Sequence, residues 1–440
     1  MFMSKYLKKA TKTPETDEAE TREIVQRLLK GVQENGEDDY IRHYGGKFGE
    51  SWPGKFILTQ EEIEERAADV PARIKEDIQF AYNQVYGFAV KQRESMKEFE
   101  TEIYPGVILG QRLIPCSCAG CYVPGGRFTH IASALMSIGT ARAAGVPFVV
   151  ACSPSHDGIT LNPTMLYAMS VCKPDVIMMM GGVHAVAAMA YGAFTGKPAD
   201  VIVGPGNRFV TEAKRALFGQ IGIDVVAGPT ESLILADKTA DPLIVAIDLM
   251  SQAEHGYDSP VWLVTDSKEL GEAVVSEMPR VIGDLPDPEV AEVSWRDYGE
   301  IVLCSDREEM AEVSDQYAAE HVQVMAEDLD WWLGRLTNYG SLFLGEGCTV
   351  PYGDKTTGTN HILPTNKAAR YSGGLNVGKF IKVVTYQRLT IEANRQIAAV
   401  TSRLSRAEGM EGHARAADVR LRKYFPDKDF DFEVYDPKKS

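Results

Sequence analysis

Eight short apolar, β-branched runs limit what this 440-residue chain can fold into. Four of them, PFVVACSP (147–154), DVIMMMGG (175–182), ADVIVGPGN (199–207) and IDVVAGP (223–229), recur about every 20 to 30 residues with helix-forming sequence between. A second series follows: PVWLVTD (260–266), EIVLCSD (300–306), HVQVMAE (321–327) and SLFLGE (341–346). Strands that alternate with helices on this spacing build βαβ units and parallel sheets. Two such series predict two doubly wound α/β domains. Length agrees, because a single hydrophobic core rarely serves a chain this long.

The flanks read as helix. ETDEAETREIVQRLLKGVQENG has a 3.6-residue apolar period, and LTQEEIEERAADVPARIKEDIQFAYNQVYGFAVKQ predicts a helical pair broken at Pro71. From about residue 377 the tail is helical and charged; RQIAAVTSRLSRAEGMEGHARAADVRLRKYF is its longest stretch and is expected to pack on a neighbour. The run VIMMMGGVHAVAAMAYGAF (176–194) is almost continuously apolar, but a Gly-Gly break and His184 interrupt it. A buried strand–turn–helix is expected there, not a membrane span.

Lys and Arg number 46 against 62 Asp and Glu, a formal charge of −16. That balance argues against nucleic acid or an anionic membrane as partner, since both attract clustered positive charge. The N-terminus has lysines but no apolar core of a signal peptide. Seven cysteines, an odd number scattered along the chain, disfavour a disulfide framework and point to a reducing cytoplasm. Cys116, Cys118 and Cys121 are spaced like a metal motif, but no second cysteine group completes four ligands. Structural or incidental thiols are expected.

Several residues are candidates for chemistry. Gly204-Pro205-Gly206-Asn207 closes one strand and opens the helix RFVTEAKRAL, a turn whose N–H groups suit a phosphate. Such turns also need glycine for geometry alone, and no GxGxxG fingerprint is present. Tyr122-Val123-Pro124-Gly125-Gly126 is a similar turn into HIASALMSIGTARAAG. Gln252 and His255 stand three apart, so on a helix they share a face and can reach one ion. Glu320 and His321 adjoin at a helix–strand join, where a base can project from a sheet edge. Asp354 is expected in a glycine-bearing loop shortly before Asn360 and His361, and His413 follows Glu408 in the tail. Taken singly, each is more often a surface or hydrogen-bonded residue than a ligand.

In order, the blocks YVPGG (122–126), GPGNRFVTEAKR (204–215), AGPTE (227–231), DLMSQAEHGYDS (248–259), AAEHVQV (318–324), GSLFLGE (340–346) and YGDKTTGTNHILPT (352–365) resemble the histidinol dehydrogenase family. The resemblance runs from about residue 20 into the tail. It implies two incomplete Rossmann-like domains with helical N- and C-terminal extensions in an intertwined homodimer. The first α/β domain would comprise 20–121 with 233–376, the second 122–232, and the extensions 1–19 and 377–440.

Carried over by motif, Gln252, His255, Asp354 and His413 would ligate Zn²⁺, with His413 reaching the other subunit's site. Glu320 and His321 match the catalytic pair, and Tyr122 and Asn207 match NAD-contacting positions. His361 and Glu408 match substrate-contacting ones. The implied reaction oxidises a primary alcohol through an aldehyde to a carboxylate with two NAD⁺. His321 would take the alcohol proton and Glu320 would activate water.

Departures bear on the substrate. Thr230 replaces the family's usual Ser after Ala-Gly-Pro at a substrate-contacting position, and His184 stands where the Gln of its Gly-Gly-x-Gln block contacts NAD, a third cofactor-binding position. The loop after Gly126 reads Arg127-Phe128-Thr129-His130, and Asn366-Lys367 stands in place of a glycine-rich turn. Added Arg127, His130 and Lys367 suit an anionic substrate group, although surface charges are common. The run LIPCSCAGCYVPGGRFTHIASALMS resembles the family's sulfopropanediol dehydrogenase branch. That branch implies oxidation of 2,3-dihydroxypropane-1-sulfonate to sulfolactate, a step of organosulfonate degradation. The alternatives are oxidation of L-histidinol to L-histidine, or a catalytically silent zinc- or nucleotide-binding paralogue. Intact ligand and catalytic positions speak against the last.

Overall fold

The structure is a computed structural model that describes residues 5–12, 18–35, 40–41, 55–125, 129–155 and 161–430. Arg127 lies outside the described residues. The chain divides into two units: Met1–Glu94 with Pro115–Ile381, and Ser95–Ile114 with Lys382–Ser440.

The first unit opens with strand β1 (Lys5–Lys8), helices α1 (Glu18–Asn35), α2 (Gln60–Ala68) and α3 (Ala72–Ser95). The helical pair predicted around Pro71 is α2 and α3. A reciprocal cap starts α2: the Thr59 hydroxyl accepts from Glu62 N–H, and the Glu62 carboxylate accepts from Thr59 N–H at 2.7 Å. In the second unit, β2 (Phe99–Tyr104) and β3 (Val107–Pro115) form an antiparallel hairpin.

Five parallel strands follow: β4 (Cys118–Tyr122), β5 (Phe148–Ser153), β6 (Val176–Met179), β7 (Val201–Val203) and β8 (Gly222–Ile223). Between them run α4 (Ile131–Ala143), α5 (Pro163–Val171), α6 (Gly182–Tyr191) and α7 (Arg208–Leu217). The sheet order is β6-β5-β4-β7-β8, which is 3-2-1-4-5 counted within the sheet. Its order therefore reverses between β4 and β7, and ligands of open α/β sheets bind outside the strand ends at such a point. The apolar run 176–194 is β6 and α6, buried as strand–turn–helix. Among the described residues no helix is long and apolar enough to cross a membrane. Helix α1 packs on α6 and α7, so it adds to the core of this sheet.

Strand β9 (Ser232–Ala236) was not read from the sequence; after it come α8 (Pro242–Ala253), β10 (Val261–Thr265), α9 (Lys268–Gly283), α10 (Glu289–Tyr298), β11 (Glu300–Leu303), α11 (Arg307–Tyr317), β12 (His321–Met325), α12 (Leu329–Arg335), β13 (Ser341–Leu344) and α13 (Val350–Lys355), whose four strands are the second series. The parallel strands are ordered β11-β10-β9-β12-β13, again 3-2-1-4-5, with β1 added antiparallel at the β11 edge. Alternate residues of β9 enter opposite cores. Ile234 and Ala236 pack with Leu249, Val274 and Met278, whereas Leu233 and Leu235 pack with Met310, Val322 and Trp332. That period of two, with helices covering both faces, is why the strands read as continuous apolar runs.

In the second unit β14 (Ile381–Leu389) pairs with β3, and α14 (Ile391–Ala407) and α15 (Glu411–Tyr424) complete the chain. The tail expected to be helical from about residue 377 thus opens with a strand, paired to β3, and only from Ile391 does it become two helices, packed together through Ala398, Ala417 and Leu421. Asp418, 3% exposed, binds Arg406 at 2.6 Å and accepts from the Ser402 hydroxyl.

Candidate active site

The turn from α11 to β12 sets up the candidate catalytic pair. Ala318 caps α11 in the left-handed region at φ 48°, which redirects the chain so that Glu320 immediately precedes β12 and His321 begins it. Behind them, Gly340 leaves space for the Glu320 carbonyl: a Cβ there would lie 2.5 Å from that oxygen. His321 pairs in register with Ser232 of β9. Its own N–H donates to the Glu231 carbonyl at 3.2 Å, and its ring Nδ1 lies 3.1 Å from the same oxygen. A carbonyl can only accept, so Nδ1 carries the ring proton and Nε2 presents its lone pair. Nε2 is buried, makes no hydrogen bond among the described residues and lies 3.8 Å from Asp354 Oδ1. Burial holds the imidazole below its ordinary pKa, with the Asp354 charge acting in the opposite sense. A neutral ring with an open Nε2 is a general base ready at neutral pH.

Glu320 is 7% exposed, and its Oε2 accepts from Glu231 N–H at 3.1 Å and lies 3.6 Å from His321 Nδ1. Burial lifts its carboxyl well above the ordinary range, reinforced by the Glu231 and Asp354 charges against the pull of that hydrogen bond.

The Glu320 and His321 side chains therefore both hang on the backbone of Glu231, a residue given no role from sequence. Glu231 is itself buried, and lost hydration pushes its carboxyl up to about 7. Its Oε1 accepts from Asn366 N–H at 2.9 Å, while Oε2 is buried without a hydrogen bond. The only sequence signal was its place at the end of AGPTE. Nearby, Gly228 N–H donates to Thr365 Oγ1 at 2.5 Å, so the AGPTE turn and the loop after HILPT are laced together. Asn366 and Lys367 both adopt left-handed backbone, at φ 53° and 64°, the conformation a glycine-rich turn would take freely. Lys367 is exposed and its charge acts on Glu231; Thr230 is half-buried.

Of the expected metal ligands in the first unit, His255 feels the charge of Asp354. Gln252 is in the last turn of α8 and 1% exposed, and its Oε1 is buried without a partner. The helix stops at Ala253, so His255 does not share its face as the spacing predicted. Instead the chain tightens after the cap, with His255 N–H donating to the Gln252 carbonyl at 3.2 Å, and the His255 side chain is exposed. Asp354 lies in the short helix α13, not in an open loop as expected; Pro351 in its first turn favours helix initiation. The charges of Asp354 and Lys355 act on His130, His255 and His361, which places these histidines around one carboxylate. His361 Nδ1 is 3.2 Å from the Asp354 carbonyl, so it carries the proton and Nε2 accepts from the Ser133 hydroxyl at 2.9 Å. Burial pushes that imidazole down to about 4.

Among the described residues no group of three or more His, Cys, Asp or Glu is poised to hold a metal, the Cys116, Cys118 and Cys121 trio included. An amide ligand is outside that set. Gln252, whose buried Oε1 has no hydrogen-bond partner among the described residues, together with His255 and Asp354, supplies mixed oxygen and nitrogen donors whose chemistry fits Zn²⁺. His413, in the first turn of α15, and Glu408, the cap of α14, are exposed on the second unit.

Tyr122, His184 and Asn207 gather at the strand-end edge of the five-stranded sheet. Tyr122 ends β4, and its hydroxyl accepts from Gly182 N–H at 3.2 Å at the start of α6. His184 lies in the first turn of α6 and is 3% exposed. Asn207 caps α7, its Oδ1 accepting from Phe209 and Val210 N–H at 3.0 and 3.2 Å. That carbonyl is therefore committed to the helix.

A family profile described as histidinol dehydrogenase matches residues 11–421. The chain is 55% identical over 428 residues to the sulfopropanediol 3-dehydrogenase of Ruegeria pomeroyi, covering 97% of this chain and 98% of that one. It is 38% identical over 399 residues to the histidinol dehydrogenase of Methanocaldococcus jannaschii, covering 90% and 92%. The solved histidinol dehydrogenase of Elizabethkingia anophelis superposes with a TM-score of 0.89 at 30% identity, over 94% of this chain and 95% of that one. With its α/β fold and its buried histidine–glutamate pair, the chain belongs to the histidinol dehydrogenase family, oxidoreductases that act on CH–OH groups.

Proposed function

We propose that this protein oxidises 2,3-dihydroxypropane-1-sulfonate to sulfolactate through the aldehyde, using zinc and two NAD⁺, as a cytoplasmic homodimer of two incomplete Rossmann-like halves per chain. The observation that carries the substrate is the identity of 55% to a sulfopropanediol 3-dehydrogenase against 38% to a histidinol dehydrogenase, each over nine-tenths or more of both chains.

Gln252, His255 and Asp354 would hold zinc with His413 of the second subunit, and Tyr122, Asn207 and the helix start at Gly182 would hold the dinucleotide. When bound, NAD⁺ supplies the hydride acceptor and zinc a Lewis acid that orients the substrate. His321 Nε2 takes the alcohol proton, because Nδ1–H is committed to the Glu231 carbonyl. Glu320 takes a proton from the water that adds to the aldehyde carbon. Its raised pKa makes its ionised form a stronger base than an ordinary carboxylate. His321 then takes the hydrate's proton in the second oxidation. Overall the alcohol and one water yield the carboxylate, two hydrides and three protons.

The sulfonate would be held by Arg127, His130 and Lys367, with Thr230, His361 and Glu408 around the diol. In a chain of charge −16, long-range attraction of an anion is absent. Recognition must come from positive groups within a Debye length, about 8 Å at physiological salt. The test is NADH formation by the zinc-loaded protein with each alcohol. Turnover with the sulfonated diol and little with L-histidinol is expected; the reverse would overturn the assignment.

A further inference from the structure

Lys214 and Asp224 form an ion pair with side chains 3% and 0% exposed, and both partners bond the same residue. Lys214 Nζ donates to the Gly204 carbonyl at 2.9 Å, and Asp224 Oδ2 accepts from Gly204 N–H at 2.7 Å. Gly204 adopts φ 118°, and a Cβ on it would lie 1.9 Å from the Tyr122 carbonyl oxygen. It is the first residue after β7, at the sheet edge where strand order reverses. The next N–H groups, of Gly206, Asn207 and Arg208, find no acceptor among the described residues.

The pair is neutral overall, so it adds no net attraction for an anion. Nor does folding require it, since an apolar pair of the same volume often stabilises as well. An apolar pair lacks the means to grip both the N–H and the C=O of one peptide residue. We propose that Lys214 and Asp224 are positioning residues that clamp Gly204 and so preorganise the Gly204–Arg208 turn for the diphosphate of the dinucleotide. This rests on the cofactor reading above. With the turn ordered in the free protein, its ordering no longer opposes binding.

The test is dinucleotide affinity, read by NADH fluorescence on zinc-loaded protein, for wild type and the double variant Lys214→Met with Asp224→Leu. The folded variant is expected to bind at least tenfold more weakly. Its kcat at saturating NAD⁺ and its KM for the alcohol should move less than threefold, and peptides spanning 200–208 should exchange faster with deuterium. A folded variant with wild-type affinity overturns the clamp. Should the variant not fold, exchange of the Gly204 amide in the wild type decides. Protection equal to that of β7 before NAD⁺ is added supports preorganisation; protection appearing only with NAD⁺ overturns it. Wild-type protein that binds no dinucleotide would overturn the cofactor reading together with the clamp, whereas wild-type binding with an unaltered variant overturns the clamp alone.

Discussion

His184 makes the acid sensitivity of the fold calculable. Its ring is 3% exposed in the first turn of α6, and burial pushes its pKa down to about 4. The positive end of the helix dipole also disfavours a charged ring there. In the unfolded chain a histidine titrates near 6.5. Above that value the ring is neutral in both states and costs nothing. Between 6.5 and 4 the unfolded chain binds a proton that the folded chain refuses, so stability falls as the pH falls. The gap corresponds to about 3 kcal/mol in full, of which about 2 kcal/mol is lost by pH 5. Guanidinium unfolding of wild type and His184→Gln at pH 8 and pH 5 isolates this ring, because every other titrating group is common to both proteins. The variant should lose about 2 kcal/mol less than wild type across that interval. Parallel losses would refute the reasoning and assign the acid sensitivity elsewhere.

Three further outcomes are expected. Lys367→Gly removes a non-glycine residue at φ 64°, which relieves about 1 kcal/mol of backbone strain. The melting temperature should hold or rise while KM for a sulfonated diol increases about tenfold, and an unchanged KM would reduce Lys367 to a turn residue. Trp332→Ala empties a site that is 1% exposed and loses the indole bond to the Glu327 carbonyl, so denaturant titration should register a loss of about 3–5 kcal/mol. Gln252→Leu removes the buried Oε1, and metal analysis should find zinc below wild-type stoichiometry in a protein with an unaltered circular dichroism spectrum; full zinc content would remove Gln252 from the ligand set.

Seven of the eight apolar runs became strands because the apolar period is a local property of the chain, and the Gly204–Asn207 turn falls where the sequence placed it; the run 223–229 gives only Ile223 to β8, and the central strands β4 and β9 were not read. Glu320 and His321 were legible as a helix–strand join, since a break in periodicity is also local. The ligand spacing was read less well. Gln252 and His255 are three apart, but the helix ends between them, and terminal residues are where periodicity has least hold. Asp354 was expected in a loop because glycines flank it, yet one helical turn forms there.

Order along the chain carried the α/β architecture and the family resemblance, both of which rest on short blocks of adjacent residues. Tertiary structure alone decided the chemistry of those blocks. Glu231 reaches Glu320 across 89 residues of sequence and Asn366 across 135. The Glu231 carbonyl likewise sets the tautomer of His321, and burial at the same place raises both carboxyls against the pull of these hydrogen bonds. Likewise Lys214 and Asp224 are unremarked charges in sequence and become a grip on one peptide only when both are buried. The reason is physical. Backbone propensity is set by near neighbours, whereas proton affinity depends on how much water is excluded and which distant dipoles replace it.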